Sequence, residues 1–308
     1  MMRRFFFVIF VTLLSCNPPR DNPYDRPVVY GEVKNITGLQ PIKGAYVRVL
    51  SHKNIATVSD TDGYYEIYLG HGVYRLVAEK NGYEPDTSDT IEITTKGATR
   101  LDFYLNALPV FETTRVRTFY DIISGPLPVY KLCYYILVED PDGLEIESTW
   151  VFLPEPISDT IFVSKNDLGE WKEVPISFDA LYSIRGKPIY AETCDKNGGR
   201  TISDAFWFTN VFTSAPVLIS PASEETLDID TLSHKEFIWH NLKTDFDVFY
   251  KVEILGYVLS DSTQDTFISF YRVIDSEKVQ SGVYYWRVYA KDSEGNFTYS
   301  EAHKFYIQ

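Results

Sequence analysis

Apolar and polar side chains alternate along most of the chain after residue 28, as in residues 64–68, 250–254 and 282–292. Side chains of a β-strand point to opposite faces in turn, so this alternation is typical of half-buried strands. No long stretch shows the three-to-four-residue apolar spacing of a helix. Gly, Pro, Asn and Asp interrupt the alternating segments at short intervals, which favours sandwiches. The pattern therefore predicts an all-β fold.

An internal repeat indicates how the strands are grouped. Residues 195–205 and 292–302 share Asp, Gly, Thr, Ser, an acidic residue and Ala in the same order, at a constant offset of 97. A Phe-containing segment that we expect to be a closing strand follows each copy, at residues 206–208 and 305–307. A period of about 100 residues predicts repeated domains rather than a solenoid.

Three tandem β-sandwich domains account for this pattern. Pro109 and Pro216 mark their boundaries, so the predicted domains are residues 28–108, 109–213 and 214–308. We refer to them as modules one, two and three.

The N-terminal residues predict a signal peptide and a membrane tether. Two arginines precede the apolar run at residues 5–14, which is half the length that a membrane-spanning helix needs. The sequence Leu13-Leu14-Ser15-Cys16 then resembles the lipobox of bacterial lipoproteins. The resemblance implies a signal peptide over residues 1–15, cleavage between Ser15 and Cys16, and lipid on the Cys16 thiol. An ordinary secretory peptide with a chance cysteine is the alternative.

Residues 16–27 contain four prolines and no apolar period, which is typical of a semi-extended tether. Asn17, rather than Asp, follows Cys16. Within the lipoprotein family this favours the outer membrane over the inner one. The expected location is therefore the bacterial cell envelope, with the protein lipid-anchored at the outer membrane and facing the periplasm or the surface.

Module one resembles the carboxypeptidase regulatory-like domain, a transthyretin-like sandwich. The resemblance rests on Gly31 and Val33, residues 41–45, an expected hairpin over Thr57 to Tyr65, and Gly82-Tyr83. Gly63 is at a position where such a turn needs a positive φ. The family implies no catalysis by this domain.

Modules two and three resemble immunoglobulin-like and fibronectin type III domains, respectively. In module three, Tyr284 fits the tyrosine corner, whose hydroxyl binds backbone, and Trp239 and Trp286 are expected in the core. In module two, Cys133, Trp150 and Cys194 follow the immunoglobulin order, but the repeat offset places Ile189, not Cys194, at the usual second-cysteine position. A disulfide between Cys133 and Cys194 and two separate thiols both remain open.

Composition and charge narrow the classes of partner. The net charge is −14, which argues against nucleic acid as a partner and against binding of anionic headgroups through protein charge. Aromatic residues are 16% of the chain, which is typical of β-strands. Core and cross-strand positions are expected to use most of them, so the aromatic content does not by itself indicate a sugar-binding surface.

The sequence contains no complete catalytic or metal-binding motif. The five histidines are scattered, with His52 and His71 in expected turns, and no His-x-x-Glu occurs. Asp60-Thr61-Asp62 permits a calcium site but lacks the spacing of an EF loop, and a turn is the alternative. Asp140 and Asp142 also lie in an expected turn. The sequence therefore predicts a protein that is not an enzyme and has no cofactor or metal.

The predicted function is a non-catalytic structural or adhesive lipoprotein that displays loops for protein or polymer contacts. The alternative is a carbohydrate-binding lipoprotein that assists polysaccharide capture. The expected partners of the protein are the membrane, through lipid on Cys16, and a protein or polysaccharide ligand.

Overall fold

The computed structural model describes residues 28–94, 97–123, 127–254, 262–273 and 279–308. Ser15, Cys16 and the tether fall outside the described residues, so cleavage between Ser15 and Cys16 and lipidation of Cys16 remain predictions. The described chain forms two compact units, the first ending at Asn106 and the second beginning at Ala107.

The first unit consists of short strands that follow the alternation of the sequence. In chain order these are β1 (Val28–Asn35), β2 (Tyr46–Val49), β3 (His52–Val58), β4 (Tyr64–Tyr68), β5 (Gly72–Tyr74), β6 (Leu76–Glu79), β7 (Asp86–Thr87), β8 (Ile91–Ile93), β9 (Ala98–Arg100) and β10 (Phe103–Leu105).

Two sheets of this unit face each other across a shared core. One sheet has the order β10-β1-β4, with β9 also paired to β1, and the other has the order β3-β2-β6-β7. Along β4, Tyr65 and Ile67 are buried while the residues between them are exposed. Their side chains pack with Val33, Leu76 and Phe103. The all-β prediction is confirmed in this unit.

The expected hairpin over Thr57 to Tyr65 is wrong. β3 pairs with β2, whereas β4 pairs with β1, so residues 60–63 carry the chain from one sheet to the other. Gly63 has the expected positive φ of 74°, and a Cβ there would meet the Val33 carbonyl oxygen at 2.6 Å. Local alternation predicts both strands but does not identify their partners. His52 is the first residue of β3 rather than part of a turn.

The second unit holds the remaining strands. They are β11 (Val110–Asp121), β12 (Val129–Glu139), β13 (Ile146–Phe152), β14 (Thr160–Val163), β15 (Trp171–Ile176), β16 (Tyr190–Asp195), β17 (Arg200–Ile202), β18 (Val217–Ser220), β19 (Glu225–Leu227), β20 (Glu236–His240), β21 (Phe249–Ile254), β22 (Ser262–Thr263), β23 (Phe267–Ser269), β24 (Gly282–Lys291), β25 (Phe297–Tyr299) and β26 (His303–Ile307).

One continuous sheet runs through modules two and three, in the order β15-β12-β11-β25-β24-β21-β22. Module two supplies its first three strands, and module three supplies the others. They join where β11 and β25 pair in parallel, with Phe119 opposite Phe297 and Tyr120 opposite Thr298. Each module completes its sandwich with a smaller sheet, β14-β13-β16-β17 in module two and β18-β20-β23 in module three.

The predicted core residues of module three are confirmed. Trp239 and Trp286 are almost fully buried, and the Trp286 Nε1 donates to the Pro221 carbonyl oxygen at 3.0 Å. The Tyr284 hydroxyl donates to the Gln280 carbonyl oxygen at 2.8 Å, as a tyrosine corner does.

Module two departs from a pure β-structure at two places. Phe178 begins a short helix, α1 (Phe178–Ser183), because the Ser177 hydroxyl caps it by accepting from the Ala180 N–H. Residues 206–208 form an isolated bridge between Phe206 and Ile189 in place of a closing strand. A second short helix, α2 (Phe270–Val273), lies in module three.

The repeat offset of 97 corresponds to the same hydrogen bonds in both modules. The Ser203 hydroxyl accepts from Ala191 N–H and donates to the Asp204 carbonyl, and Ser300 repeats this with Val288 and Glu301. Asp195 and Asp292 each accept two backbone N–H groups through Oδ1. The repeated residues therefore serve one structural role twice.

Candidate binding groove

The two cysteines singled out by the sequence are both free thiols. Cys133 lies in β12 and packs against Phe119 and Phe297, on the face opposite the module-two core formed by its neighbours Leu132 and Tyr134. Cys194 lies in β16 of the facing sheet, three residues after Ala191, which faces the same core, so Cys194 lies on the opposite face of that strand. The two thiols thus point away from each other across a sandwich, so the disulfide is not formed and the alternative of two separate thiols holds.

The acidic turns use their carboxylates to hold backbone. Asp60 Oδ1 accepts from the N–H groups of Asp62 and Tyr64, each at 2.9 Å. Asp140 Oδ1 accepts in the same way from Asp142 and Leu144. Both segments are turns. For residues 60–62, this is the alternative to a calcium site that the sequence left open. Within the described ranges, no group of three or more His, Cys, Asp or Glu side chains is placed to hold a metal ion.

A groove beside the joint between modules two and three combines exposed aromatic and charged side chains. It encloses about 520 Å³. Backbone and side chains of β11, β15, the segment after β17 and the turn before β25 form its walls. Its prominent side chains are Arg115, Arg117, Trp171, Trp207 and Glu294. We call it the Trp171–Trp207 groove.

The strand register positions the first wall of the groove. Arg115 lies opposite Tyr135 on β12, and Tyr135 lies opposite Trp171 on β15, so the three side chains share one face of the sheet. The Tyr135 and Trp171 rings are 5.7 Å apart. The Arg117 guanidinium carbon is 3.8 Å from the Trp171 ring centroid and 4.7 Å from that of Phe297. Such cation–π contacts hold a guanidinium in a fixed plane.

The second wall is built from two irregular segments. Trp207 is 56% exposed because its neighbours Phe206 and Phe208 occupy the core and direct it outward. Glu294 follows Asp292 in its turn and accepts from the Thr209 N–H at 2.8 Å and from the Thr209 hydroxyl. Burial raises the pKa of Glu294, but hydrogen bonds from Thr209 and Asn296 outweigh it, so the pKa lies below its usual value.

A buried polar network fixes the two walls relative to each other. Asn296 Oδ1 accepts from the Thr118 N–H of β11 at 2.7 Å, and its Nδ2 donates to Asp292 Oδ2 at 2.8 Å. Asn210 Nδ2 donates to the same carboxylate at 2.8 Å, and its carbonyl accepts from the Thr118 hydroxyl. Satisfied buried networks of this kind favour one arrangement of the elements they join.

The groove has the chemistry of a binding site. Indole faces stack on apolar faces of a ligand, and guanidinium groups donate up to five hydrogen bonds. Among its described lining residues, Glu294 is the single carboxylate and no cysteine or histidine is present. Nucleophile–base pairs and paired acids are therefore absent from this lining.

Sequence reasoning missed the groove because its residues come from distant parts of the chain without a motif. The sequence analysis did not single out Arg115, Arg117 or Trp171, and it placed Trp207 in an expected closing strand. An available signal was the order Phe206-Trp207-Phe208, since alternation with two buried phenylalanines predicts an outward tryptophan.

Comparison with known proteins identifies module one. The family model of the carboxypeptidase regulatory-like domain matches residues 28–106, as its sequence resemblance predicted. No curated protein matches the chain. None of the described helices is long and apolar enough to cross a membrane.

Solved structures similar to this chain are β-sandwich proteins of low identity. A DUF3823 family protein from Bacteroides ovatus is 15% identical, with coverage of 58% of this chain and 96% of that chain and a TM-score of 0.24. The fibronectin(III)-like modules of Clostridium thermocellum CbhA are 10% identical, with coverage of 65% and 94% and a TM-score of 0.32. Chicken CNTN1 FN1–FN3 domains are 11% identical, with coverage of 92% and 98% and a TM-score of 0.33.

Proposed function

We propose that this chain, which carries a carboxypeptidase regulatory-like domain at residues 28–106, is a non-catalytic binding protein held at a bacterial membrane by lipid on Cys16. The observation that carries the proposal is the joint between modules two and three. A continuous sheet, a buried network around Asn296 and the stack of Phe119 on Phe297 make one platform of two sandwiches. Its function is to present a surface at a fixed geometry.

The platform suits adhesion because a pre-organised surface loses little conformational freedom when it binds. The Phe119 and Phe297 ring centroids are 4.3 Å apart, and Lys131 bonds the buried Asp121 at 2.7 Å beside them. Burial lowers the pKa of Lys131, but hydrogen bonds to Asp121 and Glu173 outweigh it, so the lysine stays charged. The Lys131–Asp121 ion pair beside the joint is therefore retained at neutral pH.

Lipid labelling tests the tether. In a bacterial host that processes lipoproteins, the wild-type chain is expected to incorporate labelled palmitate and to sediment with membranes. Cys16→Ala is expected to lose both properties, because two or three acyl chains are needed for stable anchoring. Cys133→Ala is the matched control and should be labelled like the wild type. A labelled, membrane-bound Cys16→Ala protein would refute the tether.

Carbohydrate binding is a second candidate, favoured by the exposed indoles of Trp171 and Trp207. Exposed aromatic rings beside polar groups stack on the apolar faces of sugars, and a ligand groove of about 300–1,000 Å³ is the usual size. Trp239 and Trp286 are in the core, as expected, and are not available to a sugar.

A glycan array with matched tryptophan variants tests this candidate. Trp207→Ala is expected to reduce retention of any bound glycan by up to about tenfold, since a stacking aromatic contributes about 0.5–1.5 kcal/mol. Trp150→Ala is the control, because Trp150 is 38% exposed but lies on β13, outside the groove. Equal losses in both variants, or no retention by the wild type, would count against the groove as a carbohydrate site.

A further inference from the structure

We infer that the Trp171–Trp207 groove takes an anionic saccharide, in which Trp207 stacks on a sugar ring and Arg115 and Arg117 bind its carboxylate or sulfate groups. The inference rests on the carbohydrate-binding candidate above and adds the charge of the ligand.

The first observation is that the two arginines have no acidic partner among the described residues. In the part of the chain that the structure describes, Arg48, Arg100, Arg185, Arg200 and Arg287 each lie within 4 Å of a carboxylate. Arg115 and Arg117 make no such ion pair there, although acidic residues outnumber basic ones by 43 to 29. Arg75 also makes none there, but its Nε donates to the Ser88 carbonyl oxygen at 3.1 Å. Unpaired guanidinium groups side by side in an acidic protein are suited to an anion from outside.

The second observation is that Arg117 is pre-organised but incompletely bonded. Its guanidinium lies between the rings of Trp171 and Phe297. Its buried Nε has no hydrogen-bond partner among the described residues. A planar donor that is already ordered loses little side-chain entropy on binding, and guanidinium geometry matches carboxylate and sulfate oxygens.

The third observation is the charge balance of the groove. Its single carboxylate, Glu294, is already bonded to Thr209, whereas Arg115 is exposed on the opposite wall. Two guanidinium groups against one occupied carboxylate leave the groove locally positive, in a chain whose net charge is −14. An acidic polymer would be repelled by most of the surface and attracted here, which favours this position for its binding.

The aromatic residues favour a saccharide among anions. Trp171 and Trp207 both line the groove, and Trp171 presents one face to Arg117, so the exposed ring of Trp207 is the surface available for stacking. A stacking surface beside a pair of donors matches a sugar ring that carries an acidic group. A peptide rich in acidic side chains would bind through the two arginines alone and would leave the Trp207 ring without a contact.

Polyglutamate of equal charge is the non-sugar comparison, and calorimetry on the full-length protein in detergent tests the inference with three saccharide probes. They are a galacturonate hexasaccharide, its methyl ester, and a sulfated hexasaccharide of equal charge. We expect binding of one or both acidic probes, and at least tenfold weaker binding of the ester, since each charge-assisted bond contributes about this factor. The two acidic arms distinguish carboxylate from sulfate.

Variants assign the contacts. Arg115→Gln should weaken the acidic probes at least tenfold and leave the ester unchanged, and Trp207→Ala should weaken all three. Arg117→Gln is expected to act like Arg115→Gln, but Arg115 carries the test because it is exposed and outside the joint. Arg200→Gln, at an exposed arginine paired with Glu192, is the control and should bind normally.

Each contrary result would refute a defined part of the inference. Equal binding of the ester and the acid would overturn the charge inference and leave carbohydrate binding standing. If polyglutamate of equal charge bound as tightly as the hexasaccharide, the ligand would be an acidic peptide rather than a sugar. If none of the saccharides bound, both the inference and the carbohydrate candidate would fail.

Discussion

The Cys133 thiol lies among aromatic rings, which sets its reactivity. Burial, with a smaller contribution from Glu173, raises its pKa to about 12. The thiolate is the nucleophile in alkylation, so at pH 8 this group is almost wholly unreactive. Cys194 is also buried, and burial raises its pKa too.

Alkylation of the Cys16→Ala protein checks this assignment. At pH 8 without denaturant, iodoacetamide is expected to modify neither cysteine within the time that it needs to modify a free thiol peptide. In urea, both are expected to react without prior reduction. A non-reducing peptide map that links the Cys133 and Cys194 peptides would contradict the structure.

Alkaline pH is expected to destabilise the second unit. The pKa of Cys133 rises from 9.0 to about 12, and burial raises that of Tyr289 from 10.0 to about 12. The unfolded state therefore releases these protons first, so the stabilisation is complete below pH 9 and is lost as the pH rises from 9 to about 12. Urea midpoints at pH 8 and 10.5 measure the loss. Cys133→Ala should show a shallower decline, and an equal slope would contradict this assignment.

Asp292 illustrates a carboxylate that organises backbone. Its Oδ1 accepts from Glu294 and Asn296 N–H groups, and its Oδ2 accepts from the Asn210 and Asn296 amides. Because these donors are buried, Asp292→Ala is expected to lower the free energy of unfolding by roughly 2–3 kcal/mol. Asp140→Ala, which removes one bonded oxygen and one unbonded one, is the control and should cost about 1 kcal/mol. Urea unfolding at pH 7 compares them, and equal losses would count against the buried network.

Strand pairing separates what the sequence predicts from what it does not. The alternation in β4 and β24 predicts both strands and their buried residues, including Tyr65 and Trp286. The same alternation is consistent with many neighbours, so it gave a hairpin where the chain crosses between sheets. It also did not predict the pairing of β11 with β25, which lie in different modules. Non-local pairing depends on the whole fold, and the repeat indicates only that the modules are related.

Phe297 is expected to hold the two modules together. It stacks on Phe119 and lies over Arg117, so Phe297→Ala removes a buried ring and leaves a cavity at the joint. We expect a loss of about 3 kcal/mol and a broadened or split unfolding transition of the second unit. Differential scanning calorimetry and urea unfolding measure both effects.

Phe267 provides the matched control for that substitution. It lies in the same unit but is 48% exposed. Phe267→Ala should change the free energy of unfolding by less than about 0.5 kcal/mol and leave the shape of the transition unchanged. If Phe297→Ala behaved in the same way, the joint would not be a stabilising interface.

The groove could not be predicted from the sequence because its residues are far apart along the chain. Its side chains come from residues 114–117, 171, 205–207 and 294–295, and only the assembled second unit places them together. Motifs predict sites whose residues are local or regularly spaced. Trp171 and Trp207 meet neither condition, whereas the module-one family match rests on closely spaced glycines and turn residues.

Residues 28–106 are expected to fold without the rest of the chain. They contain their own core around Tyr65, Leu76 and Phe103. A domain of this size has a free energy of unfolding of about 4–12 kcal/mol. Phe103→Ala should lower it by about 3 kcal/mol, while Tyr104→Ala, at the exposed next position of β10, should have an effect below about 0.5 kcal/mol.

Circular dichroism in urea measures these values on the isolated domain. A cooperative transition for the wild type and a large difference between the two variants are expected. An unfolded wild-type fragment would show that module one depends on residues beyond 106.

The parallel pairing of β11 with β25 also has a consequence for synthesis. Thr118 and its partner Asn296 are 178 residues apart. At ribosomal rates of about 5–20 residues per second, roughly 9–36 s pass between their appearance. During that time one edge of β11 lacks its partner strand and presents free N–H and C=O groups, which can pair with another chain. The yield of soluble protein should therefore depend on how quickly the ribosome translates module three.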